Sequence, residues 1–178
     1  MIPSQHIFDK IIHDQSKSPL MENNIRGVFA EYLIADILGA GWKVKDGSWN
    51  EWDIDGPNGE KLEIKQSAFL QTWCKQNQPE GQYKISKPSF DIAAKTGYNS
   101  GIKTRPADIY IFALHIEKNI EKADHRILEQ WEFYVVDKKI LPKGQKRIGL
   151  GPISRLATPV RAKDLLVEIE NVGASTHD

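Results

Sequence analysis

Three things are scarce in this chain of 178 residues: cysteine, long apolar runs and net charge. The single cysteine, Cys74, excludes an internal disulfide and a zinc site built from several cysteines. No run approaches the roughly 18 apolar residues that a membrane span needs, and the first residues lack the basic patch and apolar stretch of a secretory signal. We therefore expect a cytoplasmic protein without membrane contact.

The 24 basic and 24 acidic side chains balance over the whole chain but not along it. Residues 1–60 hold 5 basic and 10 acidic side chains, residues 61–105 hold 8 and 3, and residues 106–178 hold 11 of each. The middle segment is the only basic one at this scale, so contact with a polyanion is expected there. A solvated basic loop is the alternative that charge counting leaves open.

We expect a single domain over residues 1–178, and the sequence pattern predicts that it begins with helices. A short helical extension is expected in 1–22, followed by a stronger helix from Asn24 to Leu38 that Asn23 or Asn24 caps and Gly39 and Gly41 end. Apolar residues at helical spacing define the face that this helix is expected to bury. They are Ile25, Val28, Phe29, Tyr32 and Leu33.

The second half predicts strands around a long insertion. Three short strands are followed by an irregular basic insertion or lid at 69–106, with one short helix near 69–75. Apolar runs at 108–114 and 131–136 predict two central strands, and a helix is expected over 160–169. Together these elements favour a mixed α/β domain.

A hairpin in the acidic first third carries the chemistry. Two alternating runs, 52–55 and 61–65, flank Pro57-Asn58-Gly59, which is strong turn chemistry. A three-residue loop with Gly59 at positive φ pairs Ile54 with Leu62 and Asp53 with Glu63. A four-residue loop would instead mix apolar and charged side chains on both faces. The favoured register puts these charged residues on one face: Asp53, Asp55, Lys61, Glu63 and Lys65.

Two carboxylates side by side need a neutralising partner. The favoured register places Asp53 and Glu63 about 5 Å apart at their Cβ atoms, an arrangement that repels unless a cation is present. Mg²⁺ characteristically binds one or two carboxylates together with phosphate and water. Lys65 lies on the same face, where an ammonium can position a water or stabilise phosphate charge. An amphipathic hairpin facing solvent is the alternative.

The helix before the hairpin contributes a further carboxylate. Gly27, Glu31 and Ala35 recur every four residues, so Glu31 lies on a stripe of small neighbours that would let the helix approach a sheet closely. A glycine in mid-helix costs about 1 kcal/mol relative to alanine, which suggests that it has a reason to be there. A surface glutamate beside Arg26 or Tyr32 is the alternative.

Three segments now resemble a known family: Arg26-Gly27-Val28-Phe29-Ala30-Glu31, Trp52-Asp53-Ile54-Asp55 and Leu62-Glu63-Ile64-Lys65-Gln66-Ser67. Together they are similar to the PD-(D/E)XK nuclease superfamily, over about residues 24–67 by motif. The resemblance implies a restriction-endonuclease-like α/β core, with a mixed central sheet flanked by helices and the irregular insertion after the third strand.

The resemblance also implies a metal-dependent phosphodiester hydrolase. On this mapping Glu31, Asp53, Glu63 and Lys65 are catalytic. Mg²⁺, which Mn²⁺ can replace, is bound by Asp53, Glu63 and the Ile64 carbonyl, while Glu31 serves a second metal or orients the first, and Lys65 orients the attacking water. Trp52 departs from the family pattern, which has proline before the aspartate, and Asp55 is a competing ligand if the register slips.

The resemblance makes DNA the expected substrate, with RNA left open. Cutting both strands would need two sites, so a homodimer is expected. The basic insertion, interleaved with aromatic residues, suggests a nucleic-acid surface, although for Gln71 in particular a cap or plain polar surface is the favoured alternative. The rival function is a catalytically silent nucleic-acid-binding or protein-interaction module. His115 and His125 are interpreted as unclustered structural residues. The residues expected to bind nucleic acid are Ser67, Gln71, Lys84, Lys87, Lys103 and Arg105.

Overall fold

The computed structural model describes residues 7, 9–10, 13–14, 17–46, 50–75, 84–96 and 103–174. Within these ranges the α-helices and strands follow in the chain order given next. They are α1 (Asn23–Leu38), β1 (Lys43–Val44), β2 (Ile54–Asp55), β3 (Lys61–Ala68), β4 (Ser89–Asp91), β5 (Lys95–Thr96), β6 (Lys103–Thr104), β7 (Ile109–His115), β8 (Trp131–Asp137), β9 (Arg147–Gly149), α2 (Leu150–Leu156) and α3 (Leu165–Ala174).

A mixed five-stranded sheet organises the protein, in the order β1-β2-β3-β7-β8. Strands β1, β2 and β3 are antiparallel neighbours, β3 and β7 run parallel, and β8 returns antiparallel to β7. The structure is therefore the mixed α/β fold that the sequence predicts.

The hairpin register is confirmed at the two pairs of the β2–β3 ladder. Ile54 pairs with Leu62 and Asp55 with Lys61, and Gly59 has the expected positive φ of 91°. The side chains of Ile54 and Leu62 are fully buried. Because a slip of one residue would turn these apolar side chains away from the core, burial holds the register.

The two faces of the sheet are covered differently. On one face α1 and α3 pack over the apolar side chains of Ile54, Leu62 and Ile111. On the other face the β4–β9 ribbon and the short helix α2 cover Tyr110, Phe112 and Leu114. Strand β7 is consequently buried along its whole length. The expectation of helices flanking the sheet holds fully for the first face, while a ribbon does most of the covering on the second.

The insertion at 69–106 is more regular than expected. Its described part contains a short 3-10 helix, Thr72–Lys75, and strands β4, β5 and β6. Strand β4 pairs with the distant β9, and β5 with β6. The parallel connection from β3 to β7 thus runs through ribbon structure, and its described residues contain no α-helix where one is usual.

Helix α1 buries a different stripe from the one predicted. Val28 and Tyr32 are 52% and 60% exposed, and the buried positions are Arg26, Ala30, Ile34 and Leu38. Apolar residues surround the helix on several sides, which misled the choice of face. The predicted asparagine cap is also wrong, because Glu22 holds the N-cap position without a side-chain hydrogen bond.

The C-terminal elements begin elsewhere than expected. The predicted helix over 160–169 starts only at Leu165. Val160 is instead extended and exchanges two backbone hydrogen bonds, of 2.8 and 3.0 Å, with Phe133 of β8. These bonds cover part of the edge of β8, which is an outer strand of the sheet rather than a central one. Helix α2, which no pattern predicted, accommodates Pro152 in its first turn, where the missing N–H costs no helical bond.

The predicted N-terminal extension over 1–22 lies partly outside the described residues. Residues 7, 9–10 and 13–14 are helical, and Leu20 and Met21 are buried. The boundary of a single domain at 1–178 stays a prediction. No helix of the described part of the chain is long and apolar enough to cross a membrane.

Arg26 is a fully buried cation that joins α1 to β3. Its Nε donates to Gln66 Oε1 at 2.5 Å, and its Nη2 donates to Gln71 Oε1 at 2.6 Å. Burial lowers the pKa of Arg26 to about 10. Neutral amide oxygens therefore satisfy this charge and hold the first turns of α1 against the strand that carries Glu63 and Lys65.

His115 and His125 are in contact, which corrects the interpretation that they are unclustered. Their rings meet edge to face at 4.6 Å and both lie against Trp131. His125 Nδ1 accepts a hydrogen bond from the Met21 N–H at 2.9 Å. Burial, with the neighbouring His115, lowers the pKa of His125 to about 3. The structural role itself is consistent with this packing.

His125 is expected to stay neutral across mildly acidic pH. Its folded pKa lies below the unfolded value, so the folded state binds fewer protons, and its contribution to stability is lost as pH falls below about 6.5. The measurement is an NMR titration of the imidazole resonances from pH 8 to pH 5. A full titration of His125 within that range would contradict the buried placement.

Candidate active site

Asp53 is positioned where the β2–β3 ladder ends. Its N–H donates to the Leu62 carbonyl at 2.9 Å, and the Ile64 N–H donates to Asp53 Oδ2 at 2.6 Å. The expected strand pair Asp53–Glu63 is therefore replaced by a side-chain hydrogen bond to the backbone. This bond fixes the Asp53 carboxylate against β3, beside Ile64, which lies between Glu63 and Lys65.

Glu63 is a fully buried carboxylate held between two lysines. Glu63 Oε1 lies 2.5 Å from Lys65 Nζ, and Glu63 Oε2 lies 2.7 Å from Lys95 Nζ. Lys95 Nζ also donates to the backbone carbonyls of Glu51 at 3.1 Å and Asn50 at 3.3 Å. An uncompensated carboxylate in such a place would cost several kcal/mol, so the two ammonium groups are required for its burial.

The charges of this cluster shift one another's protonation. Burial and then the charges of Asp53 and Glu63 raise the pKa of Glu31 to about 7, against the opposing effect of the two lysines. Burial and the charge of Glu63 raise the pKa of Asp53. Burial disfavours the Lys65 ammonium, but Glu63 and Asp53 outweigh it and raise its pKa. Carboxylate repulsion therefore persists in the presence of two ammonium groups.

Glu31 and Lys65 line a cleft of about 530 Å³. Gly27 and Ser67 lie on the same walls, and Ser67 is itself nearly buried. A Cβ added at Gly27 would meet no atom within 4 Å. The expectation that Gly27 lets α1 approach the sheet is therefore wrong, and the missing side chain widens the cleft instead.

Asp55 belongs to a separate arrangement. Its Oδ1 accepts a hydrogen bond from Trp52 Nε1 at 2.6 Å, and its Oδ2 lies 3.5 Å from Lys45 Nζ. The Trp52 ring in turn lies under the ammonium groups of Lys45 and Lys61, at 4.3 and 4.6 Å from its centroid. Of the two aspartates that compete in the sequence, Asp53 is the one beside Glu63.

Two residues expected to bind nucleic acid are used inside the protein. Gln71 is buried, where it accepts from Arg26 and donates to the Ala68 carbonyl at 3.0 Å. Arg105 donates to the carbonyls of Ile92, Leu141 and Pro142 at 3.2, 3.3 and 2.8 Å. Their donors and acceptors hold the insertion and α1 in place, and contact of these two residues with nucleic acid stays a prediction.

The three remaining lysines of that prediction are exposed. Lys87 lines the cleft. Lys84 lies near it in sequence, and Lys103 lines a different cavity. For these three lysines, contact with nucleic acid stays a prediction.

Sequence reasoning missed two cations of this region. Lys95 was counted only as one charge of the basic insertion, because nothing in its local sequence shows that β5 folds back onto β3. Arg147 lines the cleft opposite Asp91, its partner on the β4–β9 ribbon. The run 138–147 holds five basic and no acidic residues, a signal that averaging over 106–178 concealed.

The donor chemistry fits a hard divalent cation. Glu63 Oε1 is buried and accepts no hydrogen bond of good geometry in spite of its ion pair, which is uncommon for a buried polar atom. Asp53 and Glu63 offer carboxylate oxygens, the ligands that Mg²⁺ prefers. In the described part of the chain no three His, Cys, Asp or Glu side chains are grouped as a metal site would group them.

Comparison with known proteins gives a distant structural likeness. No family model matches the chain, and no curated protein does. Among solved structures the chain is similar to the bacterial homing endonuclease I-Ssp6803I, with a TM-score of 0.43 and 15% sequence identity over 88% of this chain and 98% of that chain.

Glu31→Gln is expected to remove a pH-dependent loss of stability. The folded state binds the Glu31 proton more tightly than the unfolded state, so its contribution is full below pH 4.5 and lost as pH rises through about 7. Without added metal and in EDTA, the variant should gain about 1–2 kcal/mol over wild type at pH 8 and little at pH 4.5, since partial exposure screens the full shift.

Urea unfolding of both proteins at the two pH values measures this difference. Asp36→Asn is the matched control, because it alters an exposed carboxylate on the same helix. An equal gain at pH 4.5 and pH 8 would contradict the electrostatic origin of the effect.

Proposed function

We propose that this chain is a Mg²⁺-dependent endonuclease that hydrolyses phosphodiester bonds, with DNA as its substrate. One observation carries the proposal: the Glu63 carboxylate is buried between Lys65 and Lys95, and the Asp53 carboxylate is fixed beside it by a hydrogen bond from the β3 backbone. A hairpin that merely faced solvent would leave these charges hydrated. Burial of Glu63 instead carries a desolvation cost, which a hairpin with a purely structural role would avoid.

The proposed metal ligands come from three elements. Asp53, directly before β2, would hold Mg²⁺ together with Glu63 and the Ile64 carbonyl on β3, and Mn²⁺ could replace it. Glu31 on α1 would serve a second metal or orient the first. Bound there, the ion would supply stabilisation of phosphate charge and a more acidic water. Burial first and neighbouring carboxylates second raise the pKa of Asp53 and of Glu31, and a bound cation would offset both effects.

Lys65 has the role of a fixed ammonium. Its raised pKa keeps it protonated at neutral pH, so it donates hydrogen bonds and does not accept the proton of water. From the wall of the cleft it can hold a phosphate oxygen and orient the attacking water. In the overall hydrolysis the water oxygen forms the new P–O bond, the bond to the leaving sugar oxygen breaks, and a proton ends on that oxygen.

A homodimer remains part of the proposal. One cleft cuts one strand at a time, and two copies related by a twofold axis would present two clefts to a duplex. The rival function is nucleic-acid binding without cleavage on the same fold. Retention of Glu31, Asp53, Glu63 and Lys65 in one place favours the enzyme.

Cleavage of supercoiled plasmid tests the proposed function. Wild type should nick or linearise the plasmid with Mg²⁺ or Mn²⁺ and not with EDTA. Lys65→Ala and Asp53→Asn should each lower the rate by about 10²-fold or more, because each removes charge stabilisation or a proposed metal ligand. Lys61→Ala is the control on the same strand, because Lys61 lies outside the cleft.

Circular dichroism of each variant separates loss of chemistry from loss of fold. Equal cleavage by wild type and Lys65→Ala, or cleavage in EDTA, would contradict the mechanism. Binding without cleavage on plasmid, branched DNA and RNA would favour the silent module.

Lys95→Met is expected to expose the electrostatic competition at Glu63. Without the Lys95 ammonium, the metal-free protein should lose stability, because one Glu63 oxygen loses its partner. For the same reason Mg²⁺ should stabilise the variant more than it stabilises wild type. The measurement is the melting temperature with EDTA and with Mg²⁺, with Lys122→Met as an exposed-lysine control. Equal gains from Mg²⁺ in variant and wild type would show that Lys95 does not compete with the ion.

A further inference from the structure

A second cavity, of about 470 Å³, lies beside the β5–β6 hairpin and the segment between β8 and β9. Its walls carry six basic side chains, and none of its lining residues is acidic. We call it the basic cavity. The six are Lys103, Arg105, Lys138, Lys139, Lys143 and Lys146.

The charges of the basic cavity are only partly compensated. Lys138 pairs with Asp108 at 2.9 Å, and Arg105 donates to backbone carbonyls. Lys103, Lys143 and Lys146 are exposed, and within the described ranges no carboxylate forms an ion pair with them. Lysines around one cavity repel one another and produce a local positive potential, which attracts a multivalent anion.

The basic cavity and the cleft are neighbours along one ribbon. In the β4–β9 ladder Asp91 pairs with Arg147, and both residues line the cleft. One residue further along, the Ile92 N–H donates to the Lys146 carbonyl at 2.9 Å, and Lys146 lines the basic cavity. The β5–β6 hairpin makes the same link, since Lys95 on β5 reaches Glu63 and Lys103 on β6 lines the basic cavity.

We propose that the basic cavity binds backbone phosphates of the nucleic acid on one side of the bond that is cut. This inference rests on the proposed function and narrows its substrate to a strand that continues past the cleavage site by at least several nucleotides. Closely spaced phosphates along a backbone are the anion array that matches a run of lysines continuous with the cleft. Such contacts are independent of sequence, so they position the strand without selecting it.

A binding experiment with a matched triple variant tests the proposal. The test variant is Lys103→Gln, Lys143→Gln and Lys146→Gln together, and the control is Lys43→Gln, Lys122→Gln and Lys163→Gln, which removes the same charge from exposed positions outside the basic cavity. Fluorescence anisotropy with a labelled duplex of about 30 base pairs, in EDTA, gives the Kd over a series of salt concentrations.

The test variant should bind at least about 10-fold more weakly than the control near 0.1 M salt. The slope of log Kd against log salt should fall by about 2 to 3, since each lost phosphate contact removes about 0.9 from it. Melting temperatures of both triple variants check that folding is intact. Equal affinity and slope for the two variants would overturn the proposal.

Two additional readouts distinguish the alternatives. If inorganic phosphate or a mononucleotide protects the basic cavity lysines from acetylation while the duplex does not, the cavity binds small anions and the proposal is overturned. Plasmid cleavage by wild type separates this inference from the proposed function. If the test variant loses binding but wild type cleaves no plasmid, the proposed role of the basic cavity is supported and the nuclease proposal is contradicted. If wild type cleaves plasmid and the test variant binds as well as the control, the nuclease proposal is supported and the role of the basic cavity is contradicted.

Discussion

The buried carboxylate of Glu63 is the constraint on which the candidate site depends. It lies on β3, beside the parallel strand β7, where it is shielded from solvent, and two ammonium groups neutralise it. Lys65 comes from the same strand two residues later, so its position follows from strand geometry. Lys95 comes from β5 and reaches Glu63 only because the insertion folds back across the sheet. Neutralising one charge therefore couples the insertion to β3.

The protein buries two charges, Arg26 on α1 and Glu63 on β3, and satisfies them in different ways. Arg26 donates hydrogen bonds to neutral amide and carbonyl oxygens. Because these oxygens carry no net charge, they attract a metal ion only weakly. That arrangement is fixed, and it sets the position of α1 and so of Glu31. Glu63 is held by the tips of two long, flexible lysine side chains, which a divalent cation can displace. Arg26 thus fixes the position of α1, whereas the lysine partners of Glu63 are the groups that the proposed cation would displace.

Sequence patterns predicted the local parts of this site and missed the long-range ones. The register of the β2–β3 hairpin followed from Pro57-Asn58-Gly59 and the alternation around it, because turn chemistry and burial act over a few residues. The contact of Lys95 with Glu63 and the internal use of Gln71 and Arg105 depend on how the insertion packs, which no local pattern encodes. The stripe of α1 was mistaken because apolar residues lie on several sides of the helix and the true buried stripe begins with a charged residue, Arg26. The basic run 138–147 was hidden by averaging over a segment with equal numbers of both charges.

Charge counting within the site supports the proposed combination of a divalent cation and a neighbouring basic surface. Glu31, Asp53 and Glu63 face two ammonium groups, Lys65 and Lys95, so the cluster is at best neutral, and it is negative once Glu31 ionises near pH 7. A phosphodiester, itself an anion, gains little by approaching such a cluster. A divalent ion reverses the sign at the point of chemistry, while the basic cavity supplies attraction that does not depend on the ion. In the proposed scheme, substrate capture and catalysis would use separate charges: the lysines beside the β4–β9 ribbon would bind any nucleic-acid backbone, and the carboxylates would act only with a bound cation.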